Sequence, residues 1–377
     1  MANGNVLLRV NNLKTYFYMA QRTEDFEPIQ ATVKAVDDIS LEIKEGTTFG
    51  LVGESGCGKT TVAYSIMNLI PYIVKAKDIE YAHLGRSQSS WSRGYLRSDK
   101  GLAHKRIIAE GEVLRGEVLY KGKDLLKMPQ EEVRRYRGKE IAMIFQNPIS
   151  ALHPMEFIGL QVGESVTAHE KTRWAQLRQL VFEYLGKVEL KDVEKRFRNA
   201  PHLFSGGEGQ RIMIALALIS GPSLLIADEP TKSLDVIVKR QVLELLRQMK
   251  QQFNLSMLLI SHDFAVVAEM ADYVAVMYSG KIVENSDVVS VYKDPMHPYT
   301  RGLLAAIPRL DRPLTRELHG LPGEPPDPLV HIPGCSFHPR CQYAIDKCRV
   351  EEPPLTEMKP GHLVACFRAH DLPKWQD

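Results

Sequence analysis

Several runs of this chain alternate apolar and polar residues with a period of two, and others repeat every three to four residues. "LLRV", "ISLEI" and "FGLVG" come first and read as β-strands. The third runs straight into a glycine-rich loop and a helix-like stretch, Thr60 to Leu69. A polar, weakly periodic segment from about Tyr72 to Gly111 reads as an insertion, after which "GEVLYKG" and "IAMIF" resume strand character. Residues 155–200, rich in Glu, Lys, Arg and Leu, read as helical. "SLLIADEP" is an apolar run ending in two acids, the pattern of a strand buried on both faces. In "VIVKRQVLELLRQMKQQF" the residues Val242, Leu245, Leu246, Met249 and Phe253 form one helical stripe, expected to pack on a sheet. "SMLLIS" and "YVAVMYSGKIVE" read as two more strands. Strands alternating with helices predict an α/β protein with a mainly parallel, helix-covered sheet.

After Asp294 the periodicity fades. "DPMHPYTRG", "IPRLDRP" and "LPGEPPDPLVHIPG" are rich in proline, which places a domain boundary near residue 294. The expected division is therefore 1–294, with a helical subdomain at about 151–205, and 295–377.

Composition narrows the class. Of 377 residues, 44% are apolar and 25% charged, the profile of a globular protein. A net charge of +2 gives no support for a nucleic-acid or membrane-surface binder. "MANGNVLLRVNN" has no basic region followed by a long apolar stretch, and "IMIALALI" is too short to cross a membrane. A cytosolic setting is expected, where clustered cysteines are metal ligands more often than disulfides.

The candidate chemistry begins at "GESGCGKT". Gly53, Glu54, Ser55, Gly56, Cys57, Gly58, Lys59 and Thr60 match G-x-x-x-x-G-K-[ST], with Thr61 following, between a strand and a helix. Glycines let backbone N–H groups close around phosphate oxygens, and the helix N-terminus adds partial positive charge. Lys59 is placed to reach the β and γ phosphates and Thr60 to ligate Mg²⁺; the Cys57 thiol has no evident chemistry. Asp228 suits the same Mg²⁺, and Glu229 suits a general base acting on water. Ser205, Gly206 and Gly207 precede a helix and offer a second phosphate site. His262 ends the next strand, where it could meet a γ-phosphate, and Gln146 follows a strand within reach of Mg²⁺ or water.

At the other end, Cys335, Cys341, Cys348 and Cys366 are spaced C-x5-C-x6-C-x17-C. The spacing lacks the C-x-x-C pairs common in structural zinc sites, and leaves an iron–sulfur cluster, zinc and free thiols all open.

In this order the motifs resemble those of ABC-type ATPases over roughly residues 5 to 290: Walker A, Q-loop at Gln146, signature at Ser205–Gly207, Walker B, D-loop with Asp235, and His-switch at His262. The resemblance implies a P-loop NTPase core with a RecA-like mixed sheet and a helical subdomain. It also implies a head-to-tail dimer in which the signature serves the partner's ATP. The family stacks adenine on an aromatic residue near the first strand; "LKTYFYM" offers Tyr16, Phe17 and Tyr18, with Tyr16 or Phe17 preferred. Two departures stand out: SGGEGQ in the signature, and Lys232 in "EPTKSLD" where a small residue is usual. "MHPYTRGLLAAIPRL", "LPGEPPDP" and the cysteine segment resemble the C-terminal extension of dipeptide/oligopeptide permease ATP-binding subunits. That resemblance implies a 4Fe–4S cluster on the four cysteines; Zn²⁺ stays the alternative from the spacing, and His338, a ligand in principle, is expected to be a packing or hydrogen-bonding residue.

It further implies ATP hydrolysis driving import of di- or oligopeptides, with oligosaccharides as the alternative cargo. The implied partners are a paralogous ATPase subunit, two transmembrane permease subunits and an extracytoplasmic binding protein, with no nucleic acid. The chain would then sit peripherally on the cytoplasmic face of the membrane, docked through residues after Gln146 and the helical region to about Arg198. Rival classes are a soluble ABC ATPase, disfavoured by the single motif set and the lack of heptads, and an iron–sulfur redox protein that merely binds nucleotide, disfavoured by the intact Glu229 and His262.

Overall fold

The computed structural model describes residues 5–22, 28–70, 107–307 and 320–375. Most of the polar segment expected to be an insertion lies outside the described residues, although Ile107 to Gly111 already belong to a strand. One antiparallel sheet is built from Val6–Arg22 (β1), Pro28–Lys44 (β2), Ile107–Tyr120 (β4) and Lys123–Asp124 (β5), in the order β2-β1-β4-β5. The larger sheet is built from Thr48–Val52 (β3), Ile141–Ile144 (β6), Leu224–Asp228 (β7), Ser256–Ser261 (β8), Tyr273–Tyr278 (β9), Lys281–Asp287 (β10), Thr356–Lys359 (β11) and His362–Val364 (β12). Its order is β11-β12-β10-β9-β3-β8-β7-β6.

The parallel part is β9-β3-β8-β7-β6. Every residue of β3 and β7 is buried, as expected of strands covered on both faces. Alternate residues divide between two cores. Leu225 and Ala227 face the helices Ile158–Thr167 (α2), Trp174–Lys187 (α3), Gly206–Leu218 (α4) and Val236–Phe253 (α5). Leu224 and Ile226 face the helix Lys59–Ile66 (α1) and the antiparallel sheet. The α5 stripe buries Val242, Leu245, Leu246 and Met249, with Phe253 partly buried beside them.

Two readings of the pattern need correcting. β1 and β2 are each 17 residues long, not short strands. Their pairing shifts register between Val10 and Leu13, where Asn12 has φ 46° and bonds Asp38, itself at φ 67°. A bulge of this kind resets the phase of the alternation, so a period-two reading stops at "NN". "YVAVMYSGKIVE" is likewise a hairpin, not one strand. Ser279 and Gly280, at φ 45° and 82°, form the two-residue turn between β9 and β10. That reversal makes the β10 side of the sheet antiparallel.

The chain beyond residue 294 is joined to this sheet. β12 pairs with β10, and Ala365 N–H donates to Val283 O at 2.8 Å. The fully buried carboxylate of Glu284 in β10 accepts from the N–H groups of Met296 (2.7 Å) and His297 (3.0 Å), and lies 2.7 Å from His362 Nε2 of β12. The helix Pro298–Ala305 (α6) follows directly.

Candidate nucleotide site

The glycine-rich loop connects β3 to α1, and two of its glycines are dictated by space. A Cβ on Gly58, at φ 108°, would lie 1.9 Å from Ala35 O of β2, and one on Gly53 would lie 2.2 Å from Met277 O of β9. The loop is thus moulded onto neighbouring strands. Lys59, buried, donates through Nζ to Gly53 O and Glu54 O, both at 2.8 Å, drawing the loop into a ring. Cys57 is buried in the loop, and burial pushes its thiol up despite the opposing charge of Lys59.

Thr60 at the head of α1 meets Asp228 at the end of β7, with Oγ1 donating to Oδ1 at 3.2 Å. Burial pushes the Asp228 carboxyl up to about 6; the Thr60 hydroxyl opposes this and the charge of Glu229 adds to it. Asp228 Oδ2 is buried with no hydrogen-bond partner. An orphaned carboxylate oxygen beside a threonine hydroxyl fits a small divalent cation that takes oxygen ligands.

Glu229 follows in a left-handed conformation, φ 46°, its N–H donating to Ile260 O of β8 at 2.9 Å. Its Oε2 accepts from Gln146 Nε2 at 2.8 Å and pairs with Lys232 Nζ at 3.3 Å, while its Oε1 lies 3.1 Å from His262 Nδ1. Burial alone would raise this carboxyl, but Gln146, His262 and Lys232 together hold it below the usual glutamate range. Gln146 is therefore directed at Glu229. Lys232, the unusual residue of "EPTKSLD", reaches the Glu229 carboxylate itself. Replacing it with Ala is expected to raise the Glu229 pKa, so the acid limb of the kcat–pH profile moves to higher pH. A profile that stays in place would show that Lys232 does not act on this carboxylate.

Other expected residues stand apart. Ser205 caps α4 through a reciprocal capping box with Glu208, which explains the acidic departure in the signature. The Arg196 guanidinium, with smaller help from Ser205, holds Glu208 down at about 2. Asp235 caps α5, accepting from Ile237 and Val238 N–H at 3.0 Å. Ser205, Gly206, Gly207 and Asp235 are not among the residues lining the cleft that contains the glycine-rich loop.

That cleft, of about 1070 Å³, is lined by Gly56 to Thr61, Gln146 and Glu229 and includes Phe17 but not Tyr16. Tyr16 instead donates its hydroxyl to Asp37 at 2.7 Å, and burial and that carboxylate push its pKa far up. Neighbouring residues of a strand point to opposite faces, so one of this pair had to turn away. Sequence reasoning missed the lining supplied from beyond residue 320, which includes Pro325, Val330, Ile332 and Val350 together with Glu324, Asp327, His331 and Glu352. It also missed Arg340, whose guanidinium holds Glu54 in two bonds at 2.7 and 3.0 Å, and Tyr299 of α6, whose hydroxyl accepts from Glu54 N–H at 2.9 Å. Tyr299, Pro325 and Arg340 fall in stretches that carry the C-terminal resemblance, but nothing in those stretches points to the glycine-rich loop.

The four C-terminal cysteines line one small cavity, with Phe337 and His338 beside them. Burial pushes Cys335 up to about 11 and Cys366 up to about 12, and raises Cys341 as well. Backbone N–H groups approach the sulfurs, among them Arg368 N–H to Cys366 Sγ at 3.4 Å. His338 Nδ1 is turned to Cys335 O, 2.9 Å away. Among the described residues no three His, Cys, Asp or Glu side chains stand in a metal-holding arrangement, so the sulfurs share a cavity without forming a closed coordination shell. The chemistry of the donor set, four thiols with N–H groups on sulfur, fits a thiolate-bound metal centre.

This fold and loop define an ABC ATPase. Residues 36–110 and 100–232 match the ABC transporter family, and residues 283–348 match the family described as "Oligopeptide/dipeptide transporter, C-terminal region". The chain belongs to the oligopeptide/dipeptide group of ABC transporter ATP-binding subunits. It is 40% identical to the oligopeptide transport ATP-binding protein AppD of Bacillus subtilis, over 96% of this chain and 97% of that protein. It is 37% identical to the oligopeptide transport ATP-binding protein OppD of Salmonella typhimurium, over 97% and 94%. A dimeric ATP-binding cassette solved in a post-hydrolysis state with ADP and Pi shares the fold, with a TM-score of 0.53 at 21% identity, covering 74% of this chain and 98% of that one.

Proposed function

We propose that this ATPase powers the import of di- and oligopeptides through separate membrane subunits. The observation that carries the reading is the match of residues 283–348 to the oligopeptide/dipeptide C-terminal region, joined to relatives named for peptide transport along nearly their whole length. Among the described residues no helix is long and apolar enough to cross a membrane, so the chain would act on spans supplied by others. Met155, Phe157, Trp174 and Leu203 are exposed apolar residues in and around the helical region, which supports docking of permease subunits there. The chain would then lie on the cytoplasmic face of the membrane, with an extracytoplasmic protein delivering the peptide.

In the proposed mechanism Thr60 and Asp228 would hold Mg²⁺, which would neutralise phosphate charge when bound. Lys59 exchanges its carbonyl partners for phosphate oxygens. Glu229 accepts a proton from the attacking water, while Gln146 and His262 keep its carboxylate in place. The signature residues at the N-terminus of α4 would serve the nucleotide of a second ATPase subunit, a paralogue in our reading; their separation from the cleft supports that arrangement. Residues 1–294 would form the cassette and 295–377 the extension, in which Cys335, Cys341, Cys348 and Cys366 would hold a 4Fe–4S cluster. That group would tie together a module with little core of its own.

The test is reconstitution with the permease subunits and binding protein. Peptide-loaded binding protein is expected to stimulate ATP hydrolysis and peptide uptake. Stimulation by oligosaccharides and not by peptides would overturn the substrate assignment.

A further inference from the structure

The cleft around the glycine-rich loop is larger than a triphosphate requires, and part of its lining comes from far along the chain. Val330 and Val350 are 61% and 74% exposed, and both lie on this cleft with Ile332 and Phe17. The wall is held in place. Arg340, largely buried, grips Glu54 of the loop through both carboxylate oxygens and donates to Pro322 O at 2.9 Å. Pro325, Pro326 and Pro328 stiffen the segment that follows. Lys59 and Thr60 occupy the phosphate end; beyond it Val330, Ile332 and Val350 stand among Glu324, Asp327, His331 and Glu352, and these apolar side chains offer a surface to the uncharged, planar part of the same ligand.

We propose that the base of the nucleotide is held between Phe17 and an apolar wall formed by Val330, Ile332 and Val350, making the C-terminal extension part of this subunit's own nucleotide site. Arg340 is a positioning residue that sets the distance between wall and loop. The inference rests on ATP binding in this cleft, not on the identity of the transported substrate.

The experiment measures binding of ADP and of inorganic pyrophosphate, each with Mg²⁺, to the full chain by calorimetry. The variants are the doubles V330D/V350D and V330S/V350S. Both positions are exposed, so the unfolding midpoint should not move. ADP affinity is expected to fall about tenfold or more in the aspartate double and by a smaller factor in the serine double, with pyrophosphate affinity unchanged in the serine double. Should the aspartate double fail to fold, the serine double decides. ADP affinity unchanged in the serine double would overturn the proposal. So would an equal fall for ADP and pyrophosphate in that double, because the wall would then act on the loop and not on the base. Loss of pyrophosphate binding in the wild-type chain would instead remove the premise that the cleft holds phosphate.

Discussion

Glu229→Gln is expected to lower the ATPase rate of the assembled transporter by roughly 10²–10⁴-fold while ATP still binds. The residue is held by its backbone in a left-handed turn, N–H to Ile260 O, so the substitution changes chemistry more than position. Glutamine retains an oxygen to accept from Gln146 or His262 but has no proton affinity to offer water. Loss of the charge also leaves Lys232, at 3.3 Å, without its anionic partner. Steady-state hydrolysis and equilibrium ATP binding, measured on the same preparation, separate the two effects. A rate within about threefold of wild type would mean that another group activates the water.

If the four cysteines hold the proposed cluster, Cys348→Ser should remove it. Wild-type protein purified without oxygen is expected to carry roughly four iron and four sulfide per chain with brown absorbance, and the variant to lose both. Cys348 is the most buried of the four cysteines, and its carbonyl accepts from Cys335 N–H at 2.9 Å, so it anchors two of the ligand positions. One zinc and no iron in the wild type would transfer the site to structural zinc. Neither metal would leave four packed thiols, a state that burial already favours by pushing Cys335 and Cys366 up to about 11 and 12.

The glycine-rich loop and the acidic strand end were legible because each is a short contiguous run shaped by its own backbone. Gly53 to Thr60 needs no distant residue to be recognised, and neither does an apolar strand ending in Asp228 and Glu229. What joins the parts was not legible. Period-two alternation says that Tyr16 and Phe17 face opposite ways, but only the register with β2 and β4 selects Phe17 for the cleft. The Arg340–Glu54 bridge spans 286 positions of sequence, and neither residue lies in a pattern that points to the other. The SGGEGQ departure was visible as an oddity; the capping box and the Arg196 pair that account for Glu208 required the fold.

The pairing of β12 with β10 has a bearing on how the chain is made. The cassette's sheet is completed by residues synthesised some 80 positions after the strand they cover, and Glu284 waits for His362 over the same interval. Until the ribosome has released that tail, β10 presents bare N–H and C=O groups, the kind of edge that recruits other chains. A shortened version cut near residue 294 for easier expression would keep that edge permanently bare and strip Glu284 of Met296, His297 and His362. Its failure as a soluble product would say nothing about the ATPase and much about the order in which this sheet is closed.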